Sequence, residues 1–278
     1  MWSVALKSPH GTDTLTLSDS TKESGWKTET EVDINAWINS CFGNVSFDHW
    51  IVYNDEVPGQ HVSSTAGHCK GILMWDEVNI MWLIHSCPNF PENLQPISNI
   101  PESACIYGQS FIFLQLPIVK IQTILTHLKI MNIHVYMISP ISETIFSNIL
   151  IPSSTFDVIK FTNFIWHIAK SRKWGEDLFD DGLESLFGGG ELVETWMRPR
   201  TPNTSNVDNL EEIKWPNGKI YTEEQDHSKF GFSLSPQTPW TYIGDINHMR
   251  SQSKRGGGGI VVIDESLWKA FYSLVYKR

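Results

Sequence analysis

Two tripeptides, His68-Cys69-Lys70 and His227-Ser228-Lys229, constrain this chain of 278 residues more than any other feature. Side chains on an extended strand alternate between faces, so a His and a Lys two positions apart point the same way. An imidazole and an ammonium aimed at one spot can bind a phosphate and react with it. A lone His-x-Lys arises often by chance. Here a second copy stands 159 residues after the first, and each copy is trailed by an apolar, strand-like run that ends in polar groups. The first run is Ile80 to Ile84, then His85-Ser86; the second is Trp240 to Ile243, then Gly244-Asp245-Ile246-Asn247. One reactive constellation per half implies two similar lobes facing each other across a single phosphodiester.

The length suits one large domain or two fused lobes with a shared core. A hydrophobic content of 41% with 12 Trp excludes a disordered chain. The formal charge of −10 has the wrong sign for binding nucleic acid by overall charge, but 10 His would bring it toward zero in acid. Cys41, Cys69, Cys87 and Cys105 lack the paired spacing of a zinc site and read as free thiols of a reducing compartment. No apolar run reaches the ~18 residues of a membrane-spanning helix, so no membrane partner is expected. Met1 to Lys7 has neither the basic start nor the apolar stretch of a signal peptide.

Along the chain, Trp2 to Leu6 reads as a strand, with a partner around Leu15 and Leu17. Ser18 to Thr30 reads as a polar loop and Ile34 to Ile38 as a short helix. Trp50 to Tyr53 is a buried-type strand, and Asp55, Glu56 and Asp48 near it read as a solvated turn rather than a metal site. Gly71 to Trp75 and Ile80 to Ile84 form a hairpin about Asp76-Glu77, followed by a strand from Ser110 to Leu116. Ile118, Ile121, Leu125 and Leu128 recur at helical spacing. Ile133 to Met137 is a strand on which His134 has a structural or exposed role, and Ser139 to Ser154 is the passage between lobes. Lys170, Arg172 and Lys173 beside Trp174 could take a backbone phosphate and a stacked base, or form a solvated turn. Leu178 to Phe187 suits a helix stopped by Gly188, Leu192 to Met197 a strand, and Pro199 to Asn209 a polar loop. The glycines at 256 to 259, after Lys254-Arg255, lack a phosphate-loop pattern and read as a flexible edge beside the site. Asp264 is a plausible N-cap for a last helix, Glu265 to Val275.

Several segments, in order, resemble the deoxyribonuclease II family. They are Gly67-His68-Cys69-Lys70-Gly71, Trp82 to Pro91, Ser103 to Gln109, Asp226 to Lys229, Gly244 to Asn247 and Leu267 to Phe271, with Ser24-Gly25-Trp26 and Tyr53-Asn54-Asp55 besides. The similarity runs from about residue 2 to 275 and is weakest near 135–160 and 198–220. The resemblance implies an α/β (α+β) fold of the phospholipase D superfamily: two lobes, each a mixed sheet flanked by helices, related by a pseudo-twofold axis. The lobes would be residues 1–145 and 146–278 of one region spanning 1–278.

It also implies an endonuclease that cuts DNA to 3′-phosphate ends without a metal or other cofactor, at acidic pH. His68, Lys70, His227, Lys229, His85 and Asn247 are the expected catalytic residues. Ser86, Asp245, Lys173, Trp174 and Arg255 are expected to contact substrate, with Asp76 or Asp245 orienting an imidazole. Superfamily analogy makes His68 the nucleophile and His227 the acid. Animal relatives are lysosomal or secreted, with several disulfides. Tyr242 and Val262 stand where cysteines would be expected, which favours an intracellular member. The substrate partner is DNA, double-stranded or single-stranded, and the oligomeric state, a dimer included, stays open. A DNA-binding protein without turnover, or a phosphodiesterase for another substrate such as a phospholipid, are the competing readings.

Overall fold

The computed structural model describes residues 1–43, 47–60, 65–196 and 202–278, with residues 27–31 as backbone only. The first sheet holds β1 (Trp2–Lys7), β2 (Asp13–Ser18), β3 (Lys27–Asp33), β4 (His49–Asn54), β5 (Lys70–Trp75), β6 (Asn79–His85), β7 (Gln109–Pro117) and β8 (Val135–Ile138). Their order is β3-β2-β1-β7-β6-β5-β4-β8. The second holds β9 (Phe156–Lys160), β10 (Ile165–Lys170), β11 (Glu191–Thr195) and β12 (Val207–Asn209). After β13 (Glu212–Lys214) and β14 (Ile220–Thr222), it continues with β15 (Lys229–Ser233), β16 (Trp240–Gly244) and β17 (Gly257–Ile263). Its order is β12-β11-β15-β16-β17-β10-β9, while β18 (Val275–Lys277) joins β13 and β14 in a small third sheet. Among the described residues six α-helices flank the sheets: α1 (Ile34–Phe42), α2 (Glu102–Cys105), α3 (Ile121–Met131), α4 (Pro140–Ser147), α5 (Glu184–Phe187) and α6 (Glu265–Tyr272). The fold is therefore α+β, as the sequence led us to expect.

The near-continuous apolar runs of β5, β6 and β7 follow from burial on both faces. Val52, Ile72, Leu83 and Phe111 pack on one side with Trp37 and Ile38 of α1. Ile51, Leu73, Trp82 and Leu114 face a core that reaches through Leu125 and Leu128 of α3 to Phe230, Ile243 and Ile260 of the second sheet. Between the sheets, the Nδ1 atoms of His127 and His167 lie 2.6 Å apart, with Trp82 against His167. His127 sits on α3 and His167 on β10, and both are buried.

Read from opposite ends, the two strand orders correspond. The series β2-β1-β7-β6-β5-β4-β8 matches β9-β10-β17-β16-β15-β11-β12. Each begins its fifth strand with the lysine of a His-x-Lys motif, Lys70 or Lys229. Each ends its second strand with a buried lysine whose Nζ donates to three carbonyls: Lys7 to Ser8, Gly11 and Cys105, and Lys170 to Gln252, Ser253 and Arg255. The match fails at one edge, where β4 and β8 run antiparallel but β11 and β12 parallel.

Several local expectations are revised. Within the segment expected to be a loop up to Thr30, residues from Lys27 pair with β2. The passage after Ser139 contains α4, with Ser139 capping it and Pro140 in its first turn, where the missing N–H costs nothing. Leu178–Leu183 is a π-helix, followed by α5 and stopped at Gly188 with φ 62°. Val207–Asn209, expected to be loop, forms β12; Met197 and residues 199–201 lie outside the described residues. The last helix stops at Tyr272, and Val275 opens β18.

The glycine run is a packed seam rather than a flexible edge. Gly257–Ile263 is β17, between β16 and β10. A Cβ on Gly258 would overlap the Ile168 carbonyl, and one on Gly256 the Met131 carbonyl.

Candidate active site

A cleft of about 620 Å³ opens between the two sheets. The first half contributes Asp55, Glu56, His68, Ser86 and Asn89, and the second Trp196, His227, Lys229, Asn247 and Arg255. A second cavity, about 550 Å³, is lined by Phe42, Phe47, Trp50, Met74 and other uncharged residues, with no cationic side chain among its described lining.

Each motif histidine is held by the opposite half. The His68 backbone N–H donates to the Gly256 carbonyl at 2.8 Å, and the His227 N–H donates to the Gly108 carbonyl at 2.9 Å. Gly108 and Gly256 directly precede the corresponding strands β7 and β17, so the two tethers are equivalent. His68 Nδ1 donates to the Asp245 carbonyl. That carbonyl can only accept, so the proton is on Nδ1 and the Nε2 lone pair is left for chemistry. Asp55 Oδ2 stands 3.9 Å from Nε2. The His227 ring stacks on Tyr107, with centroids 4.1 Å apart and planes at 11°, and tilts against Trp196.

Asp55 is the hub on the His68 side. It takes Lys70 Nζ at 2.5 Å on one oxygen and Arg255 at 3.1 Å on the other. Asn54 sets it there. The Asn54 side chain donates to the carbonyls of Cys87 and Phe90, which fixes the loop carrying Asn89, and accepts the Glu56 N–H at 2.8 Å. Lys229 donates from Nζ to the His227 carbonyl at 2.6 Å.

Burial dominates the electrostatics. It drives His68 down to about 3, with Asp55 opposing and Lys70, Lys229 and Arg255 assisting. His227 is also driven to about 3, by burial and then by Lys229 and Lys70. Lys229 falls to about 8 through burial and the Lys70 charge. Burial pushes Asp55 up, but Lys70 and His68 outweigh it and hold the carboxyl well below the usual range. Lys70 is raised, because Asp55 and Glu56 overcome its desolvation. The cleft thus holds two neutral imidazoles beside cationic side chains, a setting in which a bound phosphate would restore basicity to an imidazole.

The expected site residues separate by place. His68, Ser86, His227, Lys229, Asn247 and Arg255 line the cleft. Lys70 lies just beneath, on Asp55. Ser86 donates to Gln109 Oε1 at 2.5 Å. Asp245 sits behind His68, with its carboxylate accepting the Gly258 N–H at 2.9 Å, and burial raises its carboxyl to about 7. Asp76 instead caps its own hairpin turn, accepting from Val78 and Asn79. His85 is buried at the end of β6 between Phe90 and Phe111, away from the lining. Lys173 is exposed, Trp174 stacks on Phe156, and neither lines the cleft. Of the two readings of this segment, the solvated turn is the one seen: Arg172 and Lys173 are exposed, and Lys170, 5.9 Å from the Trp174 ring, turns inward to bond the backbone of the loop that carries Arg255.

Asp55, Asn89 and Tyr107 were not singled out from the sequence as site residues. The three acids Asp48, Asp55 and Glu56 do not converge, since exposed Asp48 precedes β4 and Asp55 follows it. Asp55, Glu56 and His68 do approach one another. The acids already hold side-chain cations, because Lys70 Nζ also lies 3.2 Å from Glu56. The register that sets Asn54 opposite Lys70, and so brings Asp55 to the lysine, appears only in the structure.

Two imidazoles, one from each sheet, open onto one cleft together with Lys229 and Arg255. The chain belongs to the deoxyribonuclease II family, whose pattern it matches over residues 2–278. It is 30% identical over 251 residues to plancitoxin-1 of Acanthaster planci, covering 81% of this chain and 69% of that protein. It is 28% identical to deoxyribonuclease-2-alpha of Sus scrofa, over 84% of this chain and 71% of that protein. With deoxyribonuclease-2-beta of Rattus norvegicus the identity is 31%, over 81% and 70%.

Proposed function

We propose that the chain is an endonuclease that hydrolyses DNA phosphodiesters to 3′-phosphate ends by a metal-independent mechanism with two histidines. The carrying observation is that His68 and His227, one from each half, open onto one cleft together with Lys229, Asn247 and Asp55. In this reading residues 1–145 and 146–278 are two lobes sharing one active site. His68 Nε2 attacks phosphorus while its Nδ1–H stays on the Asp245 carbonyl. As the P–N bond forms, the P–O5′ bond breaks and His227 delivers its proton to the leaving oxygen. His227 then takes a proton from water, which attacks phosphorus and breaks the P–N bond, leaving a 3′-phosphate. Asp55 supports the positive charge on the phosphorylated imidazole, and Lys70 and Lys229 offset charge on the non-bridging oxygens. Asn247 and Asn89 are placed to donate to the phosphate. Trp196 beside His227 offers a ring to an adjacent base.

The pH dependence follows from His227. Its folded-state value of about 3 leaves it neutral at pH 7, so a proton must come from acid and from the field of the bound polyanion. Plasmid nicking in excess EDTA should therefore be faster at about pH 5 than at about pH 7.5. Cutting that needs an added divalent ion would sink the mechanism. DNA binding by a folded protein that never nicks would make this a binding protein on the same fold.

A further inference from the structure

On the far side of Asn247, outside the cleft, Asp177, Asp180 and His248 bring three ligand atoms within 4.8 Å of one another. Asp177 precedes the π-helix and Asp180 lies within it, while His248 follows Asn247 and is fully buried. The ring's proton can be assigned from outside the trio. The Asn209 backbone N–H donates to Asn203 Oδ1 at 3.2 Å, which fixes that oxygen as an acceptor. The Asn209 amide donates to the same oxygen at 2.7 Å, so its own Oδ1 faces His248 Nδ1 at 2.8 Å and must accept. Nδ1 therefore carries the hydrogen, and Nε2 is turned toward the carboxylates. A histidine that gives one N–H to an amide or carbonyl and presents the other nitrogen to carboxylates has the outer-shell arrangement of a metal ligand.

The spacing agrees. Nε2 stands 3.3 Å from Asp180 Oδ2. A charge-assisted hydrogen bond favours about 2.7–2.9 Å. The edge of a tetrahedron with ligands at about 2.1 Å is about 3.4 Å. The other Asp180 oxygen is oriented by Thr204 at 2.6 Å, and Asp177 is oriented by the N–H groups of Phe179 and Asp180.

A second observation is independent of the trio. Glu191 on β11 is fully buried, and neither of its carboxyl oxygens has a hydrogen-bond partner. It shares a strand face with Val193, which packs with Leu178 and Phe179 of the π-helix. Burial raises the Glu191 carboxyl well above its usual value, and Glu184, Asp177 and Asp180 raise it further. Glu191 is therefore held in its neutral form near these acids.

We propose that Asp177, Asp180 and His248 form a binding site for a divalent transition cation of the zinc class, pinning the π-helix to the loop that presents Asn247. The mixed nitrogen and oxygen donors suit zinc better than magnesium or calcium. The role is structural and lies beyond the nuclease reading, which can fail without affecting it.

The test uses the whole chain, stripped with chelator and dialysed. Calorimetric titration with ZnCl₂ should show one saturable equivalent lost in Asp180→Asn and in Asp177→Asn but kept in His68→Asn. Zinc at roughly a hundred times its dissociation constant should raise the wild-type melting midpoint by roughly 5 °C. CoCl₂ should give the visible absorption of a four-coordinate site in the wild type, a readout that needs no variant to fold. No saturable binding, no cobalt band, or binding abolished by His68→Asn and kept by Asp180→Asn would overturn the proposal.

Discussion

His68→Ala is expected to lower DNA cutting by roughly four orders of magnitude or more, and His227→Ala by about two to four. The asymmetry follows from the assigned roles. In the proposed mechanism His68→Ala removes the nucleophile, whereas His227→Ala leaves the departing oxygen unprotonated. A substrate with an activated leaving group separates the two. A p-nitrophenyl phosphodiester of thymidine leaves without help, so His227→Ala should still label the protein covalently on first turnover, and His68→Ala should not. The reverse pattern would exchange the roles. Both variants should stay folded. His68→Ala strands the Asp245 carbonyl, a loss of about 1 kcal/mol.

The second large effect concerns Asp55. Its carboxylate neutralises Lys70, whose side chain is only 2% exposed, and holds Arg255 from the other half. Asp55→Ala leaves a buried ammonium without its main partner and should cost about 3–5 kcal/mol, a large share of a typical domain's stability. Asp55→Asn, which keeps a hydrogen-bond acceptor, should cost less. Urea unfolding at about pH 7 and pH 5 reads both, and the sign can be worked out. Asp55 has a depressed folded-state value, so its contribution is present above its unfolded value of about 3.9 and is lost only as pH falls further. The gap between wild type and Asp55→Asn should therefore be nearly the same at both pH values. A gap that closes by pH 5 would mean that Asp55 is not held low by its partners.

The readable part of this site is the part written in short range. Each His-x-Lys pair straddles the start of a strand, so pattern and place coincide. The α+β class came from the family resemblance, while local pattern placed single elements, as with Asp264 capping α6. Pairings between distant segments stayed hidden. Asp55 looks like a turn acid until β4 is laid beside β5, and Tyr107 looks incidental until Gly108 accepts the His227 N–H. Glycines 256 to 259 suggest freedom in sequence but mark close packing in space, because a missing Cβ serves either purpose. Lys170 misled for the same reason, since its charge is spent on carbonyls 82 to 85 residues away.

The histidine contact between the sheets sets a limit of its own. His127 and His167 meet nitrogen to nitrogen, so one ring must donate and the other accept, and full protonation of both rings would set two N–H groups against each other. Burial holds His127 down to about 4 against the pull of Asp157, and His167 well below its usual value. Unfolded imidazoles take up protons from about pH 6.5. The stabilisation from this contact is therefore complete above that pH and drains away as pH falls toward 4. In the proposed mechanism, the acid that would load His227 also works on the seam that keeps the two sheets together. On that reading the protein carries a clock: the conditions that would start its chemistry also begin to end its working life.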